Sequence, residues 1–239
     1  VAIDPKSGEI LACVSKPSFD PNNLQEHWAM LSNSHDAPFL NRATQGLYPP
    51  GSSIKPIVAA AALENEVISL DDIFFCDGKG IINGYEISCA GDEKHGEIDL
   101  SQAMALSCNV TFASIGARVG EKGFYEYIKR FMLLDTFDLP IPTTAGKLPL
   151  GGERADLIEN SLGQGKILAT PLHMALMAST VANNGVMMEP RLVSSVRSRE
   201  GRRIASYPSE VLSHPVAPDV ARKITEMMIE VVRWGTGKR

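Results

Sequence analysis

Ser52 and Lys55 stand three residues apart in the stretch YPPGSSIKP, residues 48–56, just after a Pro-Pro-Gly turn and ahead of an alanine-rich run. On a helix that spacing puts both side chains on one face of the first turn, where they can share a proton. Serine is a weak nucleophile until a base removes its proton. Lysine serves as that base when desolvation or nearby positive charge lowers its pKa. The positive end of the helix dipole acts on Lys55 in that direction, and the Ser52 backbone N–H points where an oxyanion would form. A plainer reading fits the same residues: Ser52 caps the helix and Lys55 is a solvated charge. On S-x-x-K alone the plainer reading is the commoner one, because the pattern arises often by chance.

A second group of this kind is Ser107-Cys108-Asn109, placed where two helical patterns meet. A serine hydroxyl can relay a proton between a lysine and a leaving amine, and an asparagine amide can grip a peptide carbonyl and an N–H together. Alone, this group too is more often a helix cap. Asn109-Val110-Thr111 also reads as a glycosylation sequon, although a sequon inside an apolar helical run is a poor acceptor. Cys13, Cys76, Cys89 and Cys108 sit at no metal-binding spacing, and the five histidines form no ligand pair, so no metal site is expected. Cys76 and Cys89 flank a hairpin signal at Asn83-Gly84 and could meet across a ribbon; a disulfide and two buried thiols both remain open.

The elements that would have to position these groups are readable in outline. With 239 residues, 44% of them hydrophobic, the chain can bury a sizeable core in one large domain or two small ones. A net charge of -5, from 28 acidic and 23 basic residues, creates no field that would draw it onto nucleic acid or anionic lipid. Residues 1–4 and 9–15 read as a hairpin about the turn PKSG, and residues 20–50 as loop and short helix. Helices are expected over 52–65, on either side of Ser107 to Asn109, over 123–133, 171–183 and 218–234, with a second hairpin turning at Glu200-Gly201. Residues 139–152 read as a Pro- and Gly-rich loop. Strands bracketing a mainly helical middle predict an α+β fold.

Taken together, these motifs resemble the penicillin-binding protein and serine β-lactamase superfamily, whose motif set includes S-x-x-K, S-x-N and K-T-G. VAIDPKSGEILACVSKPSFDPN looks like that family's opening hairpin, YPPGSSIKP like its nucleophile turn and LSCNVTF like its second motif. SLGQGKILATPLHMALMASTVANNGVMMEPRLV resembles the stretch leading into its later strands, so the likeness runs in order from residue 1 to 237. The chain is similar to the transpeptidase domain of a class B penicillin-binding protein. The resemblance implies an antiparallel sheet with helices plus an all-helical subdomain, residues 1–20 and 186–239 forming the α/β part and about 21–185 the mainly helical part. It also implies that Ser52 is acylated, Lys55 is its base, Ser107 relays the proton and Asn109 binds the substrate peptide. Peptidoglycan stem peptides and β-lactams would be the ligands, with no cofactor, metal or nucleic acid. The parent protein would be bacterial, anchored by an N-terminal transmembrane helix at the outer face of the cytoplasmic membrane, beside a polytopic glycan polymerase.

One motif departs from the pattern. No KTG or KSG occurs in the 239 residues, and the sequence stops at Lys238-Arg239, shortly after the GTG at 235–237 where that strand would follow. The expectation is therefore a fragment of a longer protein, missing its C-terminal strands, whose basic end is what a trypsin-like cut would leave. GTGK does not complete a phosphate-loop pattern. Two other functions stay in view. A serine β-lactamase needs a group to activate the deacylating water, for which Glu153 and Glu159 lie in a suitable region, although SLGQG looks more like the penicillin-binding proteins. A sensor or scaffold would bind β-lactam without turnover.

Overall fold

Asp4 opens the first turn, its Oδ1 accepting the backbone N–H groups of Lys6 and Ser7 at 2.8 and 2.9 Å. The chain then folds back, pairing β1 (Ala2–Ile3) antiparallel with β2 (Ile10–Ala12). The structure is a computed structural model describing residues 1–151 and 154–238. After α1 (Leu24–Ser32), a 3-10 turn over Gly51–Ile54 runs straight into α2 (Lys55–Glu64). Every residue of α2 from Lys55 to Ala62 is buried. Its run of four alanines, Ala59 to Ala62, leaves room for neighbouring helices to approach closely.

Beyond α2, β3 (Phe74–Cys76) pairs with β6 (Gly96–Ile98), setting Cys76 opposite Gly96. Between them β4 (Lys79–Ile82) and β5 (Tyr85–Ser88) form the hairpin read from Asn83-Gly84. Both turn residues take positive φ, 51° and 90°, as a tight Asn-Gly hairpin requires. Asp99 then starts α3 (Leu100–Ala105) through a capping box with Gln102. The break at Ser107 to Cys108 separates α3 from α4 (Asn109–Arg130). The expected helix over 123–133 is the far half of α4, set off by a kink at Gly120, whose φ of 74° leaves the helical region.

α5 (Arg154–Ser161), not anticipated from its short polar sequence, is followed by α6 (Pro171–Ala182), capped by Thr170 and His173. The last third holds β7 (Met187–Met188), the hairpin of β8 (Ser195–Arg197) and β9 (Arg203–Ser206), β10 (Val211–Ser213) and α7 (Pro218–Arg233). α2 packs against both α4 and α7, and one apolar core joins these helices to α3, α5 and α6. Glu64 pins the far end of α2: it accepts hydrogen bonds from the Tyr127 hydroxyl and the Ala217 N–H, and Arg130 Nη1 lies 3.0 Å away.

The α+β class is what the chain forms. Among the described residues the strands pair as five two-stranded antiparallel ribbons, so these strands alone do not make the broad sheet implied by the resemblance. On the outer side of α7 and at its C-terminal cap, Ile229, Val232 and Trp234 are exposed. Among the described residues no helix is long and apolar enough to cross a membrane.

Candidate active site

Ser52 does not cap a helix. It sits inside the 3-10 turn, with no side-chain cap bond at the start of that turn or of α2. The local structural role falls to its neighbour, since Ser53 Oγ donates to Pro50 O at 2.6 Å. Ser52 is left exposed, with its Oγ accepting a hydrogen bond from Ser107 Oγ at 2.9 Å. Lys55, at the first residue of α2, is only 1% exposed. Its Nζ donates to Ser107 O, Ser107 Oγ and Asn109 Oδ1 at 2.7, 2.9 and 2.9 Å, which uses all three ammonium protons.

The structure therefore brings together the four residues singled out in the sequence, with one difference in connectivity. Ser52 and Lys55 share a face as the spacing predicts, but the hydrogen bonds run from Lys55 to Ser107 and from Ser107 to Ser52. Burial pulls the Lys55 pKa down to about 8, with Cys108 and Cys89 acting in the opposite sense. An amine in that range is available as a base near neutral pH. The ring of Phe112, its centroid 5.3 Å from Nζ, covers the ammonium on the core side.

The second group is held by its backbone. Ser107 has φ of 54°, a left-handed conformation that costs a non-glycine residue about 1 kcal/mol. That conformation turns both its carbonyl and its hydroxyl toward Lys55. Asn109 opens α4, its Nδ2 donating to Ser88 O at 3.0 Å while its Oδ1 takes the lysine proton. The sequon is closed off, because Asn109 is held at both ends and Thr111 is buried. A cleft of about 390 Å³ opens over Ser52, Lys55 and Ser107, walled by Met104, Met174, Met177 and Met228 and reached by Thr236. Of the two glutamates considered for water activation, Glu159 is exposed on α5 and Glu153 lies outside the described residues.

Gly163, part of SLGQG, is a positioning residue whose role the sequence does not announce. Its carbonyl accepts the Gly51 N–H at 2.9 Å, docking the loop after α5 on the turn that carries Ser52. Its φ is +71°, and a Cβ there would stand 2.1 Å from Gly51 O. Gly163→Ala must therefore push the Ser52 turn away. We expect it to slow acylation by at least about tenfold and to lower stability by more than about 1 kcal/mol. Acylation kinetics and a thermal melt would check both effects.

Of the two readings left open for Cys76 and Cys89, the structure has the buried thiols. Cys76 and Cys89 do meet across the ribbons, with sulfurs 3.6 Å apart, but as free thiols. No metal site is expected from spacing, yet Cys76, Cys89, His95 and Cys108 bring their ligand atoms within 4.8 Å of one another. Motif spacing could not reveal this, because the four come from separate segments that only the pairing of β3 with β6 and the start of α4 bring together.

Comparison with known proteins gives a consistent result. The sequence matches, over residues 1–239, the family described as "Penicillin binding protein transpeptidase domain". Peptidoglycan D,D-transpeptidase PbpA of Mycobacterium tuberculosis is 34% identical, over 96% of this chain and 49% of the relative. Peptidoglycan D,D-transpeptidase MrdA of Acinetobacter baumannii is 28% identical over the full chain and 38% of the relative. The chain thus spans about half the length, or less, of the curated relatives it matches. The structure of M. tuberculosis penicillin-binding protein A as its penicillin G acyl-enzyme superposes with a TM-score of 0.90 at 30% identity, over 96% of this chain and 56% of that one.

Proposed function

The chain belongs to the penicillin-binding protein transpeptidase domain family, and from that membership we propose that the protein carrying it is a penicillin-sensitive D,D-transpeptidase of peptidoglycan, working through a serine acyl-enzyme. The observation that carries the reading is the hydrogen-bonded line from buried Lys55 through Ser107 to exposed Ser52. Neutral Lys55 takes the Ser52 proton by way of the Ser107 hydroxyl. Ser52 Oγ attacks the carbonyl carbon of the penultimate D-alanine, and the Ser52 N–H faces the developing oxyanion. The intermediate collapses, the terminal D-alanine leaves with a proton returned through Ser107, and the acyl group stays on Ser52. An amine of a neighbouring stem peptide then takes the acyl group and frees the serine. Asn109, fixed by Lys55 and Ser88, presents its remaining amide donor and acceptor capacity to the substrate backbone.

A β-lactam enters the same first step, but its leaving nitrogen stays tethered to the acyl group. The Lys-Thr/Ser-Gly motif does not occur in these 239 residues, so the substrate carboxylate clamp is assigned to none of them. In the whole protein the reading includes an N-terminal membrane anchor, a site on the outer face of the cytoplasmic membrane and a polytopic glycan polymerase as partner; family membership is its support.

The test uses the full-length protein with a fluorescent penicillin and with a stem peptide ending in D-Ala-D-Ala plus an acceptor amine. The reading expects a covalent adduct on the Ser52 peptide, release of D-alanine and a cross-linked product. Rapid loss of the penicillin adduct by hydrolysis would point instead to a β-lactamase. A stable adduct with no D-alanine release would point to a sensor.

A further inference from the structure

We propose that Cys76, Cys89, His95 and Cys108 form a binding site for one zinc-class divalent cation that braces the Ser107 to Asn109 turn from behind. Three of the four residues are fully or almost fully buried, and the His95 side chain is 4% exposed. Cys89 Sγ lies 3.6 Å from Cys76 Sγ, 3.7 Å from Cys108 Sγ and 3.8 Å from His95 Nδ1. A tetrahedral centre with metal–sulfur bonds of about 2.3 Å has sulfur–sulfur edges of about 3.8 Å, and sulfur–nitrogen edges slightly shorter. The three separations from Cys89 are those edges to within a few tenths of an ångström, and every pair of the four ligand atoms lies within 4.8 Å. Three thiols and one imidazole are also the donor set that favours zinc over harder cations.

A disulfide is the competing account, and the arrangement disfavours it. A Cys76–Cys89 bond would use two sulfurs and leave Cys108 and His95 turned toward it without purpose. A shared central partner accounts for the four-way convergence. Donors already face one of the sulfurs. Cys108 Sγ accepts from Thr111 N and Thr111 Oγ1 at 3.5 and 3.2 Å. With Nδ1 of His95 turned inward, its Nε2 faces the Glu93 carboxylate at 4.0 Å. On binding, the cation replaces three thiol protons, which pass to solvent.

The location gives the site its consequence. Cys108 lies between Ser107 and Asn109 and caps α4, while the other ligands come from the end of β3, the residue after β5 and the loop before β6. A cation held by all four ties both ribbons to the turn whose left-handed Ser107 faces Lys55. It acts by positioning and touches no reacting atom.

The experiment is metal analysis of the full-length protein purified without chelator, with Co2+ exchanged in as a spectroscopic probe. The expected result is about one zinc per chain and, with Co2+, the intense visible bands of tetrahedral thiolate coordination. Cys89→Ser should abolish those bands and Cys13→Ser should leave them unchanged. The wild-type Co2+ spectrum keeps the proposal testable even if Cys89→Ser does not fold. Removing the metal with a strong chelator should slow acylation by fluorescent penicillin at least about tenfold, with recovery on adding Zn2+. The site is overturned by four free thiols with no Co2+ bands, or by a Cys76–Cys89 disulfide. Metal binding with unchanged acylation after its removal would overturn the bracing role.

Discussion

Ser52→Ala abolishes covalent labelling by penicillin, reducing acylation by at least about 10^4-fold, while the melting temperature stays within a few degrees of wild type. The first half follows from chemistry: the variant has no oxygen to attack with, and among the described residues no other hydroxyl stands at the end of the Lys55–Ser107 line. Ser53, next in sequence, bonds back to Pro50 and so cannot substitute. The second half follows from the fold. An N-cap serine replaced by alanine costs about 0.5–2 kcal/mol, but Ser52 caps nothing and is exposed, so its loss falls below that range. Intact-mass measurement with penicillin, beside a thermal melt, separates the two. Residual stoichiometric labelling of the variant would remove Ser52 from the mechanism.

Lys55→Met has nearly as large an effect on activity and an opposite signature in stability. Without the base, acylation falls by about 10^3-fold. In the wild type the acylation rate rises with pH and levels off above about 8, the pKa to which burial lowers this lysine; in Lys55→Met that limb is absent. The linked stability change has a definite sign. Folded Lys55 gives up its proton near pH 8 and an unfolded lysine near 10.5, so between these values the unfolded chain holds more protons and stability rises with pH. Below about pH 8 both states are protonated, and the cost of burying the ammonium is fully present. Relative to Lys55→Met, the wild type should therefore gain about 3 kcal/mol between pH 8 and 10.5, a shift of 2.5 pKa units, read from denaturant midpoints. Parallel pH profiles for the two proteins would place the proton elsewhere.

The local elements were legible because their signals are local. Asp4 with PKSG, Asn83-Gly84 and Glu200-Gly201 each specify a turn through their own backbone preferences. Thr170-Pro171 and the break at Ser107 to Asn109 mark helix starts in the same way. α5 escaped notice because an eight-residue polar segment carries little periodicity; its place is set by packing on α4. Gly163 was visible only as part of a resemblance, since what demands glycine there is the backbone of Gly51, over a hundred residues away in sequence.

By itself the sequence determined the α+β class, the hairpins and most helices, the family, and the four residues that meet at the candidate site, because residue type and short-range spacing encode those. Tertiary structure alone decided how they connect. It showed that Ser52 is no cap, that hydrogen bonds run from Lys55 to Ser107 and from Ser107 to Ser52, and that Lys55 is buried with its pKa lowered. It also gathered three cysteines and a histidine at one point beneath the second motif. Burial and convergence depend on which distant surfaces pack together, and no spacing rule along the chain carries that information.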